Sequence, residues 1–263
     1  MYLYETHLHT SQGSACGRSE GREYISLYRD MGYDGIFVTD HFFQGNCAAP
    51  RSGPWASRVD AYMRGYEEAK NEGEKQGLKV FFGIEQKYDD GDEYLLYGLD
   101  KAFLLAHPEI ESWSREELFR QVHAFGGCVV QAHPFRDRGY IVRIHLQLSG
   151  IDAIEAVNIS NKPHEDVCAL MLAKALSLPV TCGSDIHGAE NAVPERAGGV
   201  SLDEPLNDGR DYAKAILARR PIGLHYPRER LCGVAACMPE KTWAAFEQER
   251  EVPFDLSAVI ENE

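Results

Sequence analysis

The chain has 263 residues, of which 44% are hydrophobic and 26% charged, and it carries a net charge of −14 with a pI near 5.2. This is the composition of a globular protein long enough for one barrel-sized core, and its acidity argues against extended contact with a nucleic-acid backbone. No apolar run approaches the roughly 20 residues that cross a bilayer, so no membrane association is expected.

The N-terminal stretch MYLYETHLHT lacks a basic leader followed by an apolar run, so no secretory signal is read there. The seven cysteines (16, 47, 128, 168, 182, 232 and 237) form no CxxC pair, and Cys128, Cys168 and Cys182 lie in apolar stretches as small hydrophobes. Both features predict a reducing, cytoplasmic compartment.

Short apolar runs alternate with longer amphipathic ones, the pattern of βα units on a parallel sheet. Strands are expected at 3–7, 35–39, 80–84, 94–99, 128–132, 153–158 and 179–183, with a further one at 222–225. Helical periodicity falls at about 21–31, 57–76, 115–125, 164–177 and 209–219. Glycines follow several of these helices, as in Met31-Gly32 and Gln76-Gly77, where a left-handed stop is expected. Residues 42–58 form the longest stretch with neither pattern. No repeat or interdomain linker breaks the chain, so one barrel is expected over 1–225, with 226–263 as an extension packed on it.

Five polar motifs sit at or just past the C-terminal ends of these strands: His7-x-His9, Thr39-Asp40-His41, Glu85, His133-Pro134 and Asp185-x-His187. In a barrel of parallel strands those ends converge on the face where active sites form. A strand-end histidine taken singly reads as a hydrogen-bonded structural residue, Glu85 as a helix cap and Asp40 as a turn residue. Five together read as ligands for Zn, Mn or Fe.

The order and spacing of these motifs over about residues 1–200 resemble the PHP family, named for polymerase and histidinol phosphatase domains. The resemblance implies a distorted TIM-like (βα)7 barrel that holds two or three divalent metal ions and hydrolyses phosphate esters. It implies His7, His9, Glu85 and Asp185 around one metal, with Glu85 bridging to a second. His133 would serve the second metal, and His41 with His187 a third. Two positions depart from the family pattern. Cys16, in Ser14-Ala15-Cys16-Gly17, stands where relatives carry an Asp or His, and is read either as a thiolate ligand suited to Zn or Fe or as a buried free thiol. The strand after Glu85 lacks the usual His, and Asp100 just beyond it is the expected substitute.

The chemistry implied is phosphate-ester hydrolysis by a metal-activated hydroxide in a di- or trinuclear site. There is no P-loop, GxSxG elbow or Cys-x5-Arg loop to suggest a covalent route. Asp40 and Arg136 are the candidate catalytic side chains, Arg136 as a phosphate clamp; Arg18 and Arg143 are weaker candidates for the same task. A small phosphate ester is the expected substrate. A nuclease on the same scaffold, a C–N hydrolase and a non-catalytic metal-binding module are the alternatives. The loop at 42–58 is expected to cover the pocket, where Phe42, Phe43 and Trp55 would stack on an aromatic leaving group, or else to pack onto the barrel as core.

Overall fold

The computed structural model describes residues 1–260; the last three residues of the expected 226–263 extension lie outside the described residues. Strand β1 (Tyr2–Glu5) leads through α1 (Ile25–Asp30) to β2 (Gly35–Val38) and the long helix α2 (Trp55–Gln76). Next come β3 (Lys79–Lys87), β4 (Glu93–Tyr97), α3 (Lys101–Ala106), α4 (Arg115–Phe125) and β5 (Cys128–Ala132). Then follow β6 (Ile144–Gln147), β7 (Ala153–Asn158), α5 (Pro163–Leu176), β8 (Val180–Gly183) and β9 (Gly199–Leu202). The described chain ends with α6 (Gly209–Leu217), β10 (Gly223–His225), β11 (Trp243–Glu247), β12 (Arg250–Val252) and α7 (Leu256–Ile260).

Nine strands share one sheet in the order β10-β9-β1-β2-β3-β4-β5-β7-β8. The chain just beyond β1 and β8 draws its two sides together. Leu8 bridges Ile186 in parallel, His9 N donates to Ile186 O at 2.9 Å, and Asp185 N donates to His7 O at 2.8 Å. The result is a distorted TIM-like α/β barrel in a single domain. Its seven barrel strands, β1 to β5 with β7 and β8, are the seven expected from the sequence.

The direction of one strand differs. β1, β2 and β3 are mutually parallel, and so are β5, β7 and β8, but β4 runs antiparallel to both β3 and β5. Only residues 88–92 separate β3 from β4, and a parallel connection needs a dozen or more residues, so the link closes as a hairpin. β9 and β10, antiparallel, extend the sheet beside β1. β6 leaves the barrel and pairs in parallel with β11, and β12 completes a separate three-stranded sheet.

Helix α2 forms because Val59, Tyr62, Tyr66, Ala69 and Gly73 recur at three- and four-residue steps on the face turned to the core, all buried except the half-buried Tyr66. Gly77 stops it in a left-handed conformation with φ +79°. Tyr4, Phe37, Leu95, Tyr97 and Val130 of the strands pack with Tyr212, Ala213 and Ile216 of α6. That helix therefore plugs the barrel at the end where β4 finishes. Among the described residues no helix is long and apolar enough to cross a membrane.

The expectation that Phe42, Phe43 and Trp55 face the pocket is overturned. Phe42 and Phe43 are both 1% exposed, and their rings lie 5.1 and 5.7 Å from that of Tyr62 on α2. Trp55 opens α2 and donates its Nε1 to Leu104 O at 2.7 Å. Packing under a long helix removes more apolar surface from water than a lid would. Phe43→Ala should therefore cost about 3–5 kcal/mol, read as a lowered midpoint in urea with the slope unchanged. A loss below about 1 kcal/mol would argue for a surface role after all.

Candidate metal centre

His7 and His9 leave β1 two residues apart and point to the same side, with their Nε2 atoms 3.1 Å from each other. Each ring is fixed from behind. His7 Nδ1 meets the buried Glu155 carboxylate of β7 at 2.9 Å. A proton shared there leaves the Nε2 lone pair of His7 facing inward. His9 Nδ1 lies 3.0 Å from Ser14 Oγ, whose own hydroxyl donates to Asp40 Oδ1 at 2.7 Å, so Nε2 of His9 also presents its lone pair.

Glu85, on β3, lies at the centre. Its Oε1 is 3.2 Å from His7 Nε2 and 3.1 Å from His133 Nε2. Its Oε2 is 2.7 Å from His41 Nδ1 and 3.3 Å from His9 Nε2. Despite their proximity, His41 Nδ1 and Glu85 Oε2 are both buried without a hydrogen bond of acceptable geometry. Asp185 Oδ1 completes the first group at 3.1 Å from His9 Nε2 and 3.5 Å from His7 Nε2.

Four overlapping sets offer donor atoms within 4.8 Å of one another: His7, His9 and Asp185; His7, Glu85 and His133; His41, Glu85 and Glu93; His9, His41 and His187. Inward lone pairs, facing carboxylates and two orphaned buried atoms are the donor chemistry of a divalent-cation site, and the residues fit such ions. The electrostatics agree. Burial alone would lower the basicity of His7, but the carboxylates of Glu155, Glu85 and Asp185 outweigh it and hold its pKa well above the ordinary value. Burial, then His187 and His41, hold His9 well below it. Burial would raise Glu85, yet His41 and His7 keep it well below the usual carboxylate range. The cluster thus draws positive charge to itself.

Two of these residues sit in unfavourable backbone conformations. His133 has φ +30° and Asp185 φ +53°, in the region that non-glycine residues avoid at a cost of about 1–3 kcal/mol each. Strain of this kind concentrates at functional sites, and here it turns two strand-end side chains into the same cluster.

Cys16 reaches this cluster from the loop after His9. Burial would raise its pKa, but hydrogen bonds with His187 and His41 bring the thiol down to about 6. Asp100 does not reach it. That residue caps α3, accepting from Phe103 N at 2.9 Å, and faces Arg210 at 3.1 Å. Because β4 runs antiparallel, it finishes at the end of the barrel where β3 begins, which carries Asp100 away from the site, and its first residue, Glu93, points into the site. Glu93 lies 3.6 Å from His133 Nε2 and 3.8 Å from His41 Nδ1. The short spacing between Glu85 and Glu93, with Asp90-Gly91 between the two strands, is the signal in the sequence that marks the hairpin and hence this residue. Glu155 carries no such signal, because a single acid inside AIEAVN makes no motif.

Asp40 is buried behind the site rather than in it. It accepts from Thr10 N, Thr10 Oγ1 and Ser14 Oγ, at 2.7, 2.6 and 2.7 Å, and burial pushes its carboxyl up to about 6 in spite of those bonds. Arg136 lines the cavity, but its guanidinium is engaged with Asn161, Asn158 and Asp185. Arg18 pairs with Glu190 at the surface, and Arg143 with Asp90 and Glu251. A cavity of about 630 Å³ opens above the cluster, lined among others by Cys16, His41, Glu93, Arg136, Asp185 and His187. A larger groove of about 1070 Å³ beside α2, around Lys79, Asp100 and Arg210, contains none of the clustered residues.

No family model and no curated protein sequence matches the chain. Solved structures do. A two-domain protein from Bacteroides vulgatus, named as containing a predicted PHP-like metal-dependent phosphoesterase, is 16% identical with a TM-score of 0.58, over 88% of this chain and 68% of that one. PsfC from Pseudomonas syringae is 16% identical with a TM-score of 0.50, over 88% of this chain and 93% of that one. The lesion-specific endonuclease Q of Pyrococcus furiosus is 12% identical with a TM-score of 0.54, over 85% of this chain but 57% of that one. At these identities the likeness is one of fold.

The supporting role of Asp40 has a measurable consequence. Asp40→Ala leaves three buried donors without an acceptor, at about 1–3 kcal/mol each, so a loss of more than about 3 kcal/mol is expected by urea denaturation. Asp40→Asn keeps one oxygen as acceptor and should lose less. Equal midpoints for both variants and the parent would remove Asp40 from this scaffold.

Proposed function

We propose that this protein is a metal-dependent phosphoric ester hydrolase acting on small phosphate esters. One observation carries the reading: Glu85 lies between His7, His9, His41 and His133, so that one carboxylate is shared by neighbouring ligand sets. A carboxylate shared in this way suits a centre of two or three divalent ions. Fold likeness to a protein named for PHP-like phosphoesterase activity supports the same reading. His7, His9, Glu85 and Asp185 would hold one ion. His133 and Glu93, with Glu85, would hold the second, Glu93 in place of Asp100. His41, His187 and Cys16 would hold the third.

When bound, such ions supply the Lewis acidity that brings a water towards neutral pKa and offsets charge on phosphate oxygens. The protein's own contribution is orientation. Glu155 fixes the tautomer of His7, Ser14 and Asp40 fix that of His9, and Arg136 holds the Asp185 carboxylate in place. Arg136, with its Nε and Nη2 given to these partners, is better described as a positioning residue than as a phosphate clamp.

The acidic surface and the small cavity favour a compact ester over nucleic acid. The endonuclease with the same fold is nevertheless reason to include an oligonucleotide in the assay. Purified protein is expected to contain at least two divalent ions per chain, to hydrolyse members of a phosphate-ester panel, and to lose that activity to a chelator. Glu85→Gln should lower kcat/KM by more than about 100-fold, the upper end of what losing a ligand's supporting partner costs. Cleavage confined to the oligonucleotide would turn the assignment to a nuclease. Tight metal with no turnover of anything in the panel would leave a binding module.

Cys16 decides the metal at one end of the site. A thiolate favours Zn or Fe over Mn, so cobalt-substituted protein should show a sulfur-to-cobalt charge-transfer band that Cys16→Ala removes together with about one equivalent of metal. Full metal content in Cys16→Ala would make the residue a free thiol.

A further inference from the structure

The positive side chains around the cavity differ in how far they are already committed. Arg136 donates its Nε to Asn161 Oδ1 and its Nη2 to Asn158 Oδ1, both at 2.9 Å, and pairs with Asp185. Arg138 donates to Asp137 O, Ser160 O and Glu165. Lys87 also lines the cavity, and among the described residues its ammonium has neither a carboxylate nor a hydrogen-bond acceptor. Its Nζ instead lies 5.0 Å from the centre of the Tyr140 ring. Its cross-strand neighbour Glu93 turns towards His41 and His133 and leaves it unpaired.

The position of Lys87 follows from strand geometry. It lies two residues beyond Glu85 on β3, so both side chains leave the same face of the strand. Glu85 is fully buried, Lys87 half-buried and Tyr140 50% exposed, which sets the three in order from the floor of the site to its mouth. A cation held over an aromatic face, above a floor of carboxylates and imidazoles, keeps its charge available to whatever enters the cavity.

We infer that Lys87 and Tyr140 form an outer anion subsite, so that the preferred substrate carries a second anionic group, carboxylate or phosphate, on the leaving-group side of the scissile phosphate. The inference rests on the phosphoesterase reading above and narrows its substrate class. About 630 Å³ is enough for both groups of such a molecule. Lys87 is a specificity residue in this scheme, and the metal ligands do not depend on it.

The test compares metal-loaded wild type, Lys87→Ala and Lys87→Arg in calorimetric binding of propylphosphonate and 3-phosphonopropionate, which differ by one carboxylate. Wild type is expected to bind the phosphonocarboxylate about tenfold more tightly, the size of a hydrogen bond to a charged group. Lys87→Ala should erase that preference while changing propylphosphonate affinity by no more than about twofold, within the spread of a neutral surface substitution, and Lys87→Arg should restore it. A propane-1,3-bisphosphonate bound more tightly than the phosphonocarboxylate would assign the second group as phosphate, and the reverse order as carboxylate. Equal affinities of the first two probes in wild type, or a Lys87→Ala loss shared equally by both, would overturn the subsite and leave the phosphoesterase reading intact. If neither probe binds and no ester is hydrolysed, both fall together.

Discussion

A carboxylate cut off from water has to be balanced by its neighbours, and Glu85 sets that constraint for one whole end of this barrel. Its two oxygens touch His7, His9, His41 and His133, which come from three separate stretches of chain. Leaving one buried charge uncompensated costs several kcal/mol, so each element that delivers an imidazole must end at one place. The closure of the sheet answers to the same demand: the backbone bonds joining the ends of β1 and β8 run through His7, His9, Asp185 and Ile186. The positive φ angles at His133 and Asp185 show backbone strain accepted at this point.

Around this centre lies a second set of buried groups whose work is to hold the first. Tyrosine hydroxyls tie down the backbone beside the histidines: Tyr24 donates to His9 O, Tyr62 to Asp40 O and Tyr97 to Thr6 O. On the other side a polar chain runs outward from Asp185 through Arg136 to Asn158 and Asn161. Both asparagines meet Asp166, and Asp166 pairs with Arg230 at 2.7 Å. Arg230 also donates to the carbonyls of Asn158, Ile159 and Asn161. The C-terminal segment therefore braces the loop after β7, and through it the orientation of the Asp185 carboxylate. Satisfied networks of this kind specify one arrangement, because any partial version leaves a buried polar group unpaired.

Much of this architecture is legible in the amino-acid sequence. The seven barrel strands, their alternation with helices, and the His, Asp and Glu motifs at strand ends can all be read there, because a hydrophobic run followed by a polar residue is a local pattern. The cluster of His7, His9, His41, Glu85, His133, Asp185 and His187 is what those motifs become once the ends converge. Strand direction is less legible. A uniformly parallel barrel places Asp100 at the site, whereas the short turn after Lys87 reverses β4 and brings in Glu93. The aromatic loop is equally ambiguous: Phe42, Phe43 and Trp55 suit a lid as well as a core until α2 is packed against them.

Local order along the chain thus settles the seven barrel strands, the kinds of side chain available for ligation and the overall charge, since each depends on composition or on residues close together, whereas β6, β9, β11 and β12 carry no pattern strong enough to be expected. Long-range packing settles which carboxylate joins which imidazole, that Glu155 stands behind His7, that Arg136 holds Asp185 and that Lys87, among the described residues, has no carboxylate partner. Those facts depend on contacts between residues as far apart as His7 and Glu155, which are 148 positions apart. A pattern of neighbours cannot encode such a pairing. It exists only when strand order, strand direction and the desolvation of each charge are settled together.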